Sequence, residues 1–203
     1  MNFIRWYTAK LESNPFITKC TTSFITFGLG DLICQSFENK YRDEKDKLKS
    51  YDFKRFLMQA SFGVMITPYL HFQFNVLMPR MFNQTGTLNL VKLIAYDQTI
   101  NASFFIFCFF TYLDLVNGVD IKTSLHNTLI KYPSTIIANW KLWPAFQIYN
   151  FTLAPPAYRV FNANIFGLLW NVYLSYMQNV KGKELLKRKE AGNEIEKEKN
   201  RNV

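Results

Sequence analysis

Charge is missing from most of this chain. The stretch FLMQASFGVMITPYLHFQFNVLMP, Phe56 to Pro79, holds no Asp, Glu, Lys or Arg, and neither do Gln98–Leu113, Leu142–Tyr158 or Val160–Val180. Thr21–Phe37 is interrupted only by Asp31. A soluble core helix shows polar residues every third or fourth place on its solvent face, and these runs lack that alternation. A helix over 56–79 covers roughly 36 Å, more than the ~30 Å hydrocarbon layer of a bilayer. The pattern favours a polytopic membrane protein over a large buried soluble bundle.

Other absences narrow the function. There is no P-loop, GxSxG, HExxH or EF-hand loop, and the 2 histidines, His71 and His126, are too few for a His-rich metal site. His71, beside Pro68, reads as a packed or interfacial residue rather than a base. The expectation is a protein that is not an enzyme and holds no cofactor or metal. The 3 cysteines, Cys20, Cys34 and Cys108, have no ligand spacing. On one helix Cys20 and Cys34 lie about 21 Å apart, too far to bridge, so they read as small packing residues.

Charge is concentrated in two places, residues 38–55 and the tail from Lys181, which is why mean hydropathy averages to only -0.08. The net charge of +9 and pI of 9.4 do not imply direct nucleic-acid binding. Aromatics lie inside apolar runs rather than in a basic groove, and the basic tail is diluted by Glu. The expected partners are membrane lipids, with a larger membrane complex or a second copy of the chain as further candidates.

The opening MNFIRWYTAKLES puts Phe3, Tyr7 and Leu11 on one stripe with Arg5 and Lys10 off it, a short amphipathic surface helix. It has no apolar core of a secretory signal. Asn14-Pro15 reads as an N-cap with proline at the first helical position, starting a helix that runs to about Glu38. Asp52 can cap the next helix, which carries Pro68 and stops near Pro79-Arg80. A third helix covers roughly Leu88 to Leu115. Ile121–Tyr132 reads as a weaker, polar helix; Ser134 starts a further span that Pro144 kinks and Pro155-Pro156 ends; Pro156–Val180 is the last apolar helix. The fold class is all-α, a polytopic helical bundle with about four spanning helices plus the N-terminal amphipathic helix. Residues 1–180 form one membrane domain (1–14 the surface helix, 38–55 a charged loop), and 181–203 a flexible charged tail, helical at best in part.

Polar residues inside apolar runs are the candidate site. Asp31 and Gln35 share one helix face; Asp97 and Gln98 lie in the third helix, Gln147 and Asn150 in the fourth, Asn171 and Ser175 in the last, with Arg159 after the double proline. An ion at mid-bilayer costs ~2.5–3.5 kcal/mol on insertion scales, so such groups face inward and pair. The expected pairing is Asp31 or Asp97 with Arg159. The general use of such groups is interhelical bonding at ~0.6 kcal/mol each; the functional use is the wall of a hydrophilic path for small solutes. Trp143, Gln147 and Phe151 share a stripe within NWKLWPAFQIYNFTLAPPAYR, whose prolines require protein or water around the freed backbone.

LWPAFQIYNFTLAPPAYR and LLWNVYLSYMQN carry a longer pattern, WPxxQxxNF, PxxxR and WNxYLS. It comprises Trp143, Pro144, Gln147, Asn150, Phe151, Pro155, Arg159, Trp170, Asn171, Tyr173, Leu174 and Ser175. This resembles the signature of the 22-kilodalton peroxisomal membrane protein family (the Mpv-seventeen group). Upstream, Pro15, Thr18, Gly30, Asp31 and Gln35, then Pro68 and His71, then Lys92, Asp97 and Gln98 follow in the family's order. Thr67 stands where the family has Gly, Gln73-Phe74 where it has Trp-Tyr, and Ser103 where it usually has Pro. The resemblance implies a small helical protein, usually drawn with four spans, in the mitochondrial inner or the peroxisomal membrane. It also implies channel-like passage of small solutes; a non-transporting subunit of a membrane complex is the alternative. The basic start, with Glu12 its single acid, favours mitochondria.

Overall fold

The computed structural model describes residues 2–41, 51–82, 86–154 and 158–201. The helices are α1 (Asn2–Ser13), α2 (Pro15–Tyr41), α3 (Phe53–Phe72), α4 (Met78–Met81), α5 (Thr87–Tyr96), α6 (Ala102–Val116), α7 (Ile121–Ile148), α8 (Arg159–Tyr176) and α9 (Gly182–Arg201). Wide π-helical turns join α3 to α4 (Gln73–Leu77), α5 to α6 (Asp97–Asn101) and α8 to α9 (Met177–Lys181), while Tyr149–Leu153 extends α7. No strand occurs among the described residues.

Local chemistry sets the boundaries. The Asn14 carbonyl accepts from the Thr18 amide at 3.0 Å, and Pro15 opens α2. Asp52 caps α3 through the Arg55 amide at 3.0 Å, and Asp120 caps α7 through Thr123 at 3.0 Å. Pro68 lies inside α3, and the adjacent Thr67 hydroxyl sits 2.7 Å from the Gly63 carbonyl and 2.9 Å from Ser23. Thr67 thereby links α3 to α2. Ser103 likewise accepts from the Tyr132 hydroxyl at 2.8 Å, tying α6 to α7.

Sequence expectations are corrected at three points. Ile121–Tyr132 and the span from Ser134 are one helix, α7, with Pro133 and Pro144 both inside it. The tail is helical from Gly182 to Arg201, continuous with α8 through its π turn. Tertiary packing explains that: α9 lies against α7, and Leu185 joins the apolar core. The loop placed at 38–55 is shorter than expected, because α2 reaches Tyr41 and α3 begins at Phe53. Its residues 42–50 lie outside the described set, as do Pro155 and Pro156.

α2 packs between α3 and α8, and α6 packs on α7 and α3. Small residues permit the first two contacts. A Cβ on Gly63 would come 2.7 Å from the Ser23 carbonyl oxygen, and one on Gly30 would come 2.7 Å from Asn171 Cβ. Close backbone approach at Gly is the usual device of membrane helix packing. The apolar core gathers Phe27, Phe62, Ile66, Ile106, Phe109 and Phe110, with Phe62 meeting Phe109 edge-on at 5.1 Å.

Around that core the distribution is inverted. Asp31, Gln35, Gln59, Asp97, Gln98, Asp114, Lys131 and Gln178 are buried, whereas Ile25, Val64, Ile100, Leu129, Ile137, Leu153 and Leu169 are exposed. Water would favour the opposite arrangement. Among the described residues one continuous helix, Leu88–Val116, is by itself long and apolar enough to cross a membrane.

Candidate functional site

Three polar clusters form inside the bundle. The first joins α2, α3 and α8. Asp31 accepts from Arg55 Nε at 2.6 Å, from the Ser175 hydroxyl at 2.6 Å and from Gln35 Nε2 at 2.8 Å. Arg55 also donates to Glu38 at 2.6 Å and 3.1 Å, and to Ser175 at 2.9 Å. Gln35 bonds both backbone groups of Asp52, at 2.8 Å and 3.1 Å, fixing the start of α3 against α2. This overturns the expected pairing with Arg159. Arg55 is nearer because the ends of α2 and α3 meet around the loop between them.

Arg159 instead opens α8. Its Nε donates to the Ala154 carbonyl at 3.4 Å, and its own carbonyl accepts from Asn150 at 3.2 Å. Asn150 also lies 3.5 Å from Asn162. These two residues organise the passage from α7 to α8 rather than the polar clusters. Pro155 lies outside the described residues, and only the backbone of Phe151 is described.

A second cluster was not anticipated. Lys131, only 2% exposed, donates to Asp114 at 3.1 Å and 3.3 Å and to Gln178 Oε1 at 2.7 Å. Gln178 returns a bond to Asp114 at 2.7 Å, and Asn127 adds another at 3.0 Å. The ammonium also lies 5.3 Å from the Phe110 ring centroid. One sequence signal was available: Ser124, Thr128, Lys131 and Thr135 recur at helical spacing, and all four are buried.

The third cluster surrounds Asp97 on the π turn. Its carboxylate accepts from Gln147 at 2.6 Å, Asn101 at 2.8 Å and Gln98 at 3.1 Å. Gln98 in turn accepts from Asn139 at 2.7 Å through its side chain and from Trp140 at 2.9 Å through its carbonyl. The wider π turn helps bring Asp97, Gln98 and Asn101 inward together, and such turns gather at functional sites. No ion-pair partner of Asp97 occurs among the described residues.

Beside this cluster lies a cavity of about 250 Å³, walled by Asp97, Gln98, Asn101, Asn139, Gln147, Asn164 and Asn171 and by the aromatics Phe27, Phe74, Phe105, Trp143 and Trp170. Trp143 is held edge-on by Trp170 and Phe166, and Trp170 stacks on Tyr173 at 5.0 Å. Leu174 and Ser175 are fully buried. A second pocket of about 320 Å³ near the first cluster is lined by Glu38, Asp52, Lys54, Arg55, Gln59, Asn117, Asn179 and Lys183. Gln59 lines this pocket and Asn171 the cavity, and Gln59 Nε2 lies 3.5 Å from the Asn171 carbonyl.

Outside these clusters, His71 Nδ1 is 3.1 Å from Lys19 Nζ and 3.4 Å from Asn75, beside the Phe16 ring. Tyr7 of α1 bonds Thr22 at 3.0 Å and accepts from Asn164 at 3.2 Å, so the surface helix is folded back against α2 and α8.

Comparison with known proteins bears on this arrangement. The Mpv17 / PMP22 family profile matches residues 114–175. PXMP2/4 family protein 2 of Dictyostelium discoideum is 31% identical over 172 residues, spanning 84% of this chain and 88% of that protein. Protein SYM1 of Eremothecium gossypii is 31% identical over 180 residues, spanning 86% and 95%. The chain belongs to the Mpv17/PMP22 family. Protein sym-1 of Neurospora crassa is also similar, at 30% identity over 86% of this chain. No solved structure matches. As an Mpv17/PMP22 protein the chain is a membrane protein, which accounts for its inverted burial. The family match runs from Asp114, in the second cluster, to Ser175, in the first.

Proposed function

We propose that this chain provides a channel-like path for small solutes across an organellar membrane, in a bundle crossing the bilayer about four times. One observation carries the reading. Asn171 lines the Asp97 cavity and Gln59 the charged pocket at Arg55, and Gln59 Nε2 lies 3.5 Å from the Asn171 carbonyl, so the two polar spaces adjoin inside the bundle. Intramembrane polar groups of this kind mark solute pathways. The basic amphipathic α1 supports the mitochondrial inner membrane as its location, with the peroxisomal membrane as the alternative.

The test is conductance of the purified chain in planar bilayers. Gln59→Leu places an apolar side chain between the two pockets and is expected to lower the unit conductance while the protein stays folded. A bilayer that remains silent at high protein load overturns the channel. It would leave the second reading, a non-transporting subunit of a membrane complex. That reading is favoured by the Asp31–Arg55 and Asp114–Lys131 pairs, each of which clamps helices together. Its sign is co-migration with a large assembly on native gels in mild detergent.

A further inference from the structure

The charges of the three clusters are balanced differently. Asp31 and Glu38 share Arg55, and Asp114 has Lys131. Asp97, 7% exposed, meets amide donors alone among the described residues. Amide donors can satisfy a carboxylate's lone pairs, but they supply no opposite charge. Next to it, Asn101 gives its N–H to Asp97, and its Oδ1 is buried with no hydrogen-bond partner. Asn101 is 4% exposed, and an orphan acceptor at such depth is costly. Asp97 and Asn101 both line the cavity.

The cavity thus presents a carboxyl group with no cationic partner among the described residues beside an empty acceptor, which call for a donor carrying positive charge and disfavour an anion. The remaining wall narrows the chemistry. Phe105, Trp143 and Trp170 line the same space, and aromatic faces attract ammonium groups while solvating an attached hydrocarbon. A bare alkali ion would leave that apolar wall unused. At about 250 Å³ the space equals roughly eight waters at ~30 Å³ each, so it holds a compact molecule of a few heavy atoms.

We infer that the Asp97–Asn101 cavity is a binding site for a small organic ammonium ion, its N–H groups on Asp97 and Asn101 Oδ1 and its carbon skeleton against Trp143, Trp170 and Phe105. The site goes beyond the proposed channel, because binding here does not require that the ligand pass through.

The experiment is calorimetric titration of the full chain in detergent, with n-propylammonium, 1-propanol and propionate as probes of one shape and different charge. Saturable binding of propylammonium alone is expected. Asp97→Asn keeps the shape of the side chain and is expected to weaken binding by about tenfold or more. A second variant spares the polar cluster. Gly167 lines the cavity, and a Cβ added there meets nothing within 4 Å. Gly167→Leu therefore fills the space, keeps α8 helical and should abolish the heat of binding with the circular dichroism spectrum unchanged. Failure of propylammonium to saturate, equal binding of propanol, undiminished binding in Gly167→Leu, or full displacement by equimolar potassium would each overturn the assignment. No voltage or gradient enters the titration, so binding by a protein that is silent in bilayers would retain the site and discard the channel.

Discussion

Lys131 illustrates how this bundle tolerates charge. Its ammonium is placed between Asp114, Gln178 and the Phe110 ring, so each polar atom near it has a partner. Breaking a buried pair by removing one member costs about 3–5 kcal/mol, because the other charge is left unpaired. Lys131→Met should lower the thermal midpoint of the solubilised protein accordingly, and adding Asp114→Asn should recover part of the loss. Asp120 offers an exposed contrast. Its carboxylate is held below the ordinary range by the Thr123 hydroxyl and the Thr123 amide. A depressed folded value means the cap contributes above the unfolded pKa and is lost as pH falls through the folded one. Acidification below the ordinary carboxylate range should therefore fray the start of α7, seen as faster amide exchange at Thr123, and Asp120→Asn should remove that pH dependence.

At the scale of elements, what matters is how closely α2 can approach its neighbours. Gly30 sets its distance from α8, and Gly63 sets its distance from α3. Gly30→Val should force α2 off Asn171 and destabilise the bundle by about 1–3 kcal/mol, as overpacking does. The same displacement would lengthen the Ser175–Asp31 bond that closes the first cluster. Gly167→Ala meets open space and should stabilise α8 by about 1 kcal/mol through helix propensity. Comparing the two midpoints separates a packing glycine from a cavity glycine. The tail belongs to this scale too: its Gly and alternating charges read as frayed, but α9 packs on α7, so closely that a Cβ on Gly182 would come 3.1 Å and 3.2 Å from Lys131 Cδ and Cγ. Contact with α7 supplies what local propensity lacks.

For the molecule as a whole, the surface decides the solvent. Ile137, Leu129 and Ile165 are exposed while Asp31, Asp97 and Lys131 are buried, an arrangement that favours lipid outside. Alkaline carbonate extraction of organelle fractions should leave the chain in the pellet. Release into the supernatant would contradict a bilayer-embedded bundle.

The burial of the candidate polar residues was legible residue by residue. Asp31 with Gln35, Asp97 with Gln98, Gln147, Asn171 and Ser175 stand in uncharged runs, and lipid leaves such groups no place but the interior. What the sequence determined by itself was therefore the helical class, the membrane solvent and the inward-facing set. It could not determine partners. Arg55 meets Asp31 from 24 positions away, across a loop that looks merely solvated, and Lys131 meets Gln178 from 47. Helical spacing specifies which face a residue occupies, whereas which faces meet depends on where chains can approach, at Gly30 and Gly63. Tertiary packing alone left Asp97, among the described residues, with amide donors and no cation, and placed a cavity beside it.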